Sequence, residues 1–245
     1  KGAHRGERLR EKYELIHQGL SAERIAEKWE LTEQEINEYS ALSHERAIRA
    51  IEAGYFKDEI VPIQGVTTDE GPRPGTTAEV LQGLKKVFKE DGVISAGNAS
   101  QISDGASAVL IMSSEKAEQL GVKPLAKIIA RTVVGSDPTL MLTGPIEATR
   151  QVLAKANLTI DDIDTYEVNE AFAPVPIVWA KELGADIEKL NPDGGAIALG
   201  HPLGASGTKL LTTLVYRMQR ENQRYGLLAI CEGMGMANAT IIEKL

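Results

Sequence analysis

The sequence predicts an α/β protein: a mixed sheet flanked by helices, preceded by a mostly helical N-terminal third. Three observations carry this. Charged segments with helix-start signals fill residues 21–54. From Gly92 onward, apolar runs of strand length alternate with helical periodicity. The chain then closes on strand, Gly-Met-Gly turn and returning strand. The two textures divide the chain into residues 1–92, a helical unit, and residues 93–245, the sheet-bearing remainder.

The elements follow in order. Ser21-Ala22-Glu23-Arg24 opens a helix with Ser21 as N-cap and Ile25, Ala26 and Trp29 on one face. Thr32-Glu33-Gln34-Glu35 is a capping box whose helix stops at Gly54. A strand over Glu59 to Gln64 and a turn-rich passage over Thr67 to Thr77 come next, the latter carrying Arg73. Ala108-Val109-Leu110-Ile111-Met112 suits a buried strand, and Pro124 to Val134 a second. Pro145 to Ala156 is a helix with proline in its first turn. Ile163 to Val168 is a strand and Glu170 to Leu183 a helix, for which Asn169 would be the N-cap. Gly204 to Gly207 opens a helix with the stripe Leu210, Leu211, Leu214, Val215 and Met218. Gly226 to Cys231 and Ala239 to Ile242 are the closing strands.

Composition limits function. A net charge of −8 argues against nucleic acid or an anionic membrane as partner, and an anionic ligand would need a local basic site. One cysteine excludes an intrachain disulfide, no zinc-ligand spacing occurs, and no metal is expected. A reducing cytoplasm is the natural setting. No apolar stretch approaches the roughly 18–20 residues of a membrane span. Lys1 to Arg5 has neither Met nor an apolar leader, so the chain is expected to begin inside a longer protein.

Three segments stand where α/β folds place ligands. Asn169-Glu170-Ala171-Phe172-Ala173 follows a strand, and Asn169 there would hold a water or carbonyl oxygen. Gly200-His201-Pro202-Leu203-Gly204-Ala205-Ser206-Gly207 fixes a histidine between glycine and proline. Cys231-Glu232-Gly233-Met234-Gly235 puts the lone thiol before glycines whose N–H groups can face a developing oxyanion. Such a thiol needs a neighbouring base, and His201 is the candidate. A self-contained Cys–His hydrolase with Cys231 as nucleophile is one outcome of that pairing.

These motifs, in this order and spacing, resemble those of the thiolases (acetyl-CoA C-acyltransferases). Gly97 to Ala106, Thr143-Gly144-Pro145 and the helix near Ser21 fit the same pattern, so the resemblance covers nearly the whole chain. It implies a thiolase-like layered fold, present in part, with residues 1–92 as the loop domain and 93–245 as the rest of the N-terminal domain plus the C-terminal domain. It implies a reversible Claisen condensation and thiolytic cleavage of 3-oxoacyl-CoA with acetyl-CoA, in which coenzyme A thioesters are substrates and no cofactor is bound permanently. By resemblance, His201 activates a nucleophilic cysteine, Asn169 positions an oxyanion-hole water, Cys231 moves the α-carbon proton and Gly233 supplies an N–H. Ser100 and Arg73 match coenzyme A contacts, and Met141 and Phe172 match acyl-pocket or pantetheine positions. A homodimer or homotetramer is implied for the full-length form.

Two departures stand out. Ala237 replaces a usual glycine, and the N-terminal half with the nucleophilic cysteine has no counterpart among these residues. The expectation is therefore an enzyme part that is inactive alone, or else a non-catalytic coenzyme A-binding subunit completed by a separate N-terminal half. A thiol of ordinary pKa, near ~8.5, would suit Cys231 to both acid and base work.

Overall fold

The computed structural model describes residues 6–245. Its sheet has four strands: β1 (Ala126–Gly135), β2 (Thr165–Val168), β3 (Tyr225–Glu232) and β4 (Met236–Lys244), in the spatial order β1-β4-β3-β2. β4 runs antiparallel to both its neighbours, whereas β2 and β3 are parallel. The sheet is thus mixed, as the alternation predicts.

Helices cover both faces. The helices are α1 (Glu7–Lys12), α2 (Gln18–Lys28), α3 (Glu33–Glu52), α4 (Ala78–Gln82) and α5 (Ser114–Leu120). Then come α6 (Gly144–Ala156), α7 (Pro174–Leu183), α8 (Ala196–Leu199) and α9 (Ser206–Arg220). Strand alternation sorts the two cores. Leu227, Ala229 and Cys231 of β3 pack with Tyr166, Val168, Val152 and Trp179, on the face covered by α6 and α7. Leu228 and Ile242 turn the other way and meet Leu210, Leu214 and Met218 of α9. Each such side chain fully buried stabilises by roughly 1.5–3 kcal/mol. Trp179 sits edge-on to Tyr166 at 5.3 Å between ring centres, and its indole N–H donates to Thr149 Oγ1 at 2.9 Å.

The capping box on α3 forms as expected: Glu35 N–H donates to Thr32 Oγ1, and Thr32 N–H to the Glu35 carboxylate. Four other expectations fail for identifiable reasons. Helix α2 begins a turn early because His17, not Ser21, caps it; Ser21 is buried and donates to the Thr139 carbonyl at 2.6 Å. The Glu59 to Gln64 strand is absent. Gln64 (φ 51°) and Gly65 (φ 83°) fold the chain back into a single Ile63–Val66 bridge. Ala108 to Met112 is not a buried strand either. No strand lies beside it among the described residues, and Leu110 and Ile111 are 82% and 65% exposed.

The fourth correction bears on the site. Helix α7 starts at Pro174, not Glu170, so Asn169 caps nothing. The segment before α7 is pinned to a neighbouring stretch instead: Ser100 N–H donates to the Ala171 carbonyl at 3.0 Å, and Ala99 bridges Phe172. Proline at the first helical turn then starts α7 without losing a needed donor.

Candidate active site

Each segment reaches the site by a different backbone device. Cys231 lies one residue from the end of β3, buried, and the chain then turns through Gly233, Met234 (φ 67°) and Gly235 (φ 83°) into β4. Ser136 clamps this turn, its N–H donating to the Gly235 carbonyl at 2.6 Å and its hydroxyl to the same oxygen at 3.0 Å. Asn169 follows β2, and its N–H extends the parallel ladder to the Ala229 carbonyl at 3.1 Å. His201 follows Gly200, whose φ of 84° is open chiefly to glycine, and where a side chain would strike Ser103.

The three meet through Asn169. Its Nδ2 lies 3.3 Å from His201 Nε2, and its amide stands near enough to the Cys231 thiol to lower the thiol's pKa. Its Oδ1, buried, has no partner among the described residues. Burial pushes the Cys231 thiol up to about 12, only partly offset by its own backbone N–H and by Asn169. The ordinary thiol pKa expected from sequence is therefore not what this environment gives. Burial also lowers the His201 pKa, and Lys209 lowers it further, which favours neutral imidazole.

Residue Glu170 anchors the loop behind this cluster. Its carboxylate, 1% exposed, accepts from Tyr39 Oη (2.9 Å), Ser43 Oγ (2.7 Å), Asn191 Nδ2 (2.9 Å) and Ile197 N–H (3.1 Å). Helix α3 is thereby tied to the chain that leads into Gly200 and His201. Gly195 must be glycine here, because a Cβ would run into that carboxylate.

The remaining sequence candidates fall into two groups. Ser100 and Phe172 flank the cluster, joined by the contacts described above; Phe172 is buried and lies edge-on to Phe88 at 5.9 Å. The neighbouring Gln101 binds this strip to the histidine loop, since its carbonyl accepts from His201 N–H at 3.0 Å. Met141, buried in the left-handed region (φ 28°), lines a small cavity of about 190 Å³ with Ile16, His17, Gln18, Gly233 and Met234. Arg73 stands apart: its N–H donates to His44 Nδ1 at 3.1 Å, while its side chain is exposed. The sequence reading passed over His17, Gln18 and Ser206. Only Ser206 had a signal, its place five residues after His201 within the same glycine-rich motif. No group of His, Cys, Asp and Glu suited to a metal occurs among the described residues.

A layered α/β chain whose thiol, imidazole and carboxamide meet at one sheet end is the class of protein these features define. Residues 3–115 match the model of the thiolase N-terminal domain and residues 122–244 that of the thiolase C-terminal domain. The chain belongs to the thiolase family. It is 52% identical over 234 residues to the steroid 3-ketoacyl-CoA thiolase FadA6 of Mycobacterium tuberculosis, covering 94% of this chain and 57% of that protein. An acetyl-CoA acetyltransferase of Pseudomonas aeruginosa is 46% identical over 237 residues, covering 93% and 60%. The crystal structure of human mitochondrial 3-ketoacyl-CoA thiolase in complex with CoA superposes with a TM-score of 0.91 at 42% identity, covering 94% of this chain and 61% of that one. The chain thus spans about three fifths of the length of these relatives. Because both domain models fall on it, the expectation of an inactive piece draws no support from these matches.

Proposed function

We propose that these residues act in the thiolytic cleavage of 3-oxoacyl-CoA by coenzyme A to acyl-CoA and acetyl-CoA, and in the reverse Claisen condensation. The observation that carries the reading is the Asn169 carboxamide, which meets the His201 imidazole at 3.3 Å and lowers the pKa of the buried Cys231 thiol at the same sheet end. In cleavage, a nucleophilic thiol gives its proton to His201 Nε2 and attacks the 3-oxo carbon. The carbon–carbon bond then breaks, and Cys231 delivers its proton to the departing α-carbon, releasing acetyl-CoA. The coenzyme A thiol next gives its proton to the Cys231 thiolate and takes the acyl group, and the departing nucleophilic thiolate recovers its proton from His201. A thiol held neutral by burial suits that donor role. The N–H of Gly233 and a water on Asn169 Oδ1 would carry the oxyanion charge, each such donor being worth about 3–4 kcal/mol.

The chain has one cysteine, so the thiol that carries the acyl group is proposed to come from outside these 245 residues. Coenzyme A is proposed to pass Arg73 and Ser100, with Met141 and Phe172 along the pantetheine and acyl path. The division into a loop domain over 1–92 and a remainder over 93–245, a dimeric or tetrameric assembly and a cytoplasmic setting belong to the same proposal. A non-catalytic coenzyme A-binding subunit is the second reading, favoured by the same single cysteine.

The test incubates the purified chain with acetoacetyl-CoA and coenzyme A, follows thiolysis and maps adducts by mass spectrometry. Coenzyme A binding without acylated Cys231 supports the assignment. Acyl transfer onto Cys231 would overturn it in favour of a Cys–His nucleophile. Turnover gained only when a second polypeptide supplies a thiol separates the catalytic reading from the binding one.

A further inference from the structure

We infer that Ser206 is a positioning residue that holds neutral His201 in the tautomer with its proton on Nδ1. The inference rests on the reading of His201 as a base, and it identifies what keeps that base ready. Ser206 is the first residue of α9 and 2% exposed. Its Oγ is hydrogen-bonded to His201 Nδ1 and lies 3.0 Å from the Pro202 carbonyl oxygen, four residues back. A serine hydroxyl has a single proton. Donated to the carbonyl, in the back-bonding pattern common for serine in helices, it leaves Oγ able only to accept. The proton between Oγ and Nδ1 must then belong to the imidazole.

The far side of the ring gives the same answer. At Nε2 the neighbour is Asn169 Nδ2, an amide nitrogen that can only donate. With the carboxamide in this orientation, Nε2 presents its lone pair. The hydrogen bonds run in one direction, from Asn169 to His201 to Ser206 to the Pro202 carbonyl. Nε2, the nitrogen beside Asn169, is left as the basic one. A base that receives a proton at Nε2 needs this tautomer and no other.

Two other histidines make the contrast measurable within one molecule. His17 Nδ1 accepts from Gly19 N–H at 3.1 Å, and His44 Nδ1 accepts from Arg73 N–H at 3.1 Å. Each must carry its neutral-form proton on Nε2. His201 is predicted to be the opposite, in the same chain and at the same pH.

The experiment is long-range proton–nitrogen NMR on the histidine-labelled full chain, above the pH at which His201 titrates, with His201→Gln assigning its signals. The expected wild-type result is a protonated Nδ1 and a lone-pair Nε2 for His201, with the reverse for His17 and His44. Ser206→Ala should lose the Nδ1–H pattern as the dominant form, and Ser206→Thr, which keeps a hydroxyl, should retain it. A wild-type His201 protonated on Nε2 overturns the inference, as does an unchanged pattern in a folded Ser206→Ala. Should Ser206→Ala not fold, the wild-type pattern decides. No turnover is needed, so a chain that stays inactive even when a second polypeptide supplies the thiol, yet shows the Nδ1–H tautomer, would refute the proposed function and leave this assignment standing.

Discussion

Asn169 Nδ2 and His201 Nε2 lie 3.3 Å apart, and this contact ties the end of β2 to the loop that opens α9. The same amide lowers the pKa of the Cys231 thiol, against the larger upward effect of burial. One side chain therefore orients the imidazole and tempers the thiol. Its position comes from backbone pairing on both sides, Asn169 N–H to Ala229 on β3 and Ser100 N–H to Ala171.

Alkylation of Cys231 should report that arrangement. With the thiol near 12, the rate of reaction with iodoacetamide should still be climbing at pH 10, without the plateau an ordinary thiol shows. Asn169→Ala removes the amide that lowers the thiol pKa and should move the profile further upward. The slope with pH is the measurement, because the smaller side chain also opens access. A plateau below pH 9 in the wild type would contradict the burial argument.

Glu170 offers a test of the scaffold. Its carboxylate holds two side chains of α3 together with Asn191 and Ile197 N–H, all out of water. Glu170→Ala should cost about 3–5 kcal/mol, since it leaves several buried donors unpaired. Tyr39→Phe removes one donor and should cost about 1–2 kcal/mol. Urea denaturation midpoints compare the two. Equal losses would mean that the carboxylate is not the centre of the knot.

Much of this was legible in sequence where local chemistry decides the outcome. The Thr32–Glu35 box, the proline that starts α6, the α9 stripe and the closing hairpin all follow from short-range rules and all form. The three motifs likewise marked Asn169, His201 and Cys231, and each lies at a strand or helix end. What failed depended on long-range partners. Ala108 to Met112 has the composition of a buried strand, yet a strand exists only beside another, and none is there among the described residues. Glu170 looked like a first-turn glutamate because nothing nearby in sequence names Tyr39 or Ser43, more than a hundred residues away. Ser206 was hidden for the opposite reason: its partner is close, but a serine in a glycine-rich turn has many local uses.

Arg73 should govern affinity for the nucleotide end of coenzyme A more than any step of chemistry. Its guanidinium is exposed, and its backbone is pinned to His44. Arg73→Ala should weaken coenzyme A binding by about tenfold, or ~1.4 kcal/mol. The difference from wild type should shrink as salt rises, because exposed charge pairs are screened. Calorimetry at low and high ionic strength measures both effects. Unchanged affinity at low salt would remove Arg73 from the coenzyme A path.

Glu59 makes the fold sensitive to pH near neutrality. Burial raises its pKa to about 7, outweighing the pull of Lys209 and of the Thr213 hydroxyl, which donates to Oε1 at 3.2 Å; Asp193 and Asp69 push it higher. Its other oxygen is buried without a partner among the described residues. The sign follows from proton counting. Between the unfolded value of 4.5 and about 7, the folded chain holds the proton more tightly than the unfolded one. That contribution to stability is complete below 4.5 and is lost as pH rises through 7. Because Glu59 is only partly buried, the loss should be about 1–3 kcal/mol. Glu59→Gln, neutral throughout, should lose less stability than wild type between pH 5 and pH 8 in urea titrations. If the two curves stay parallel over that range, Glu59 titrates as an ordinary surface glutamate and its burial has no energetic consequence.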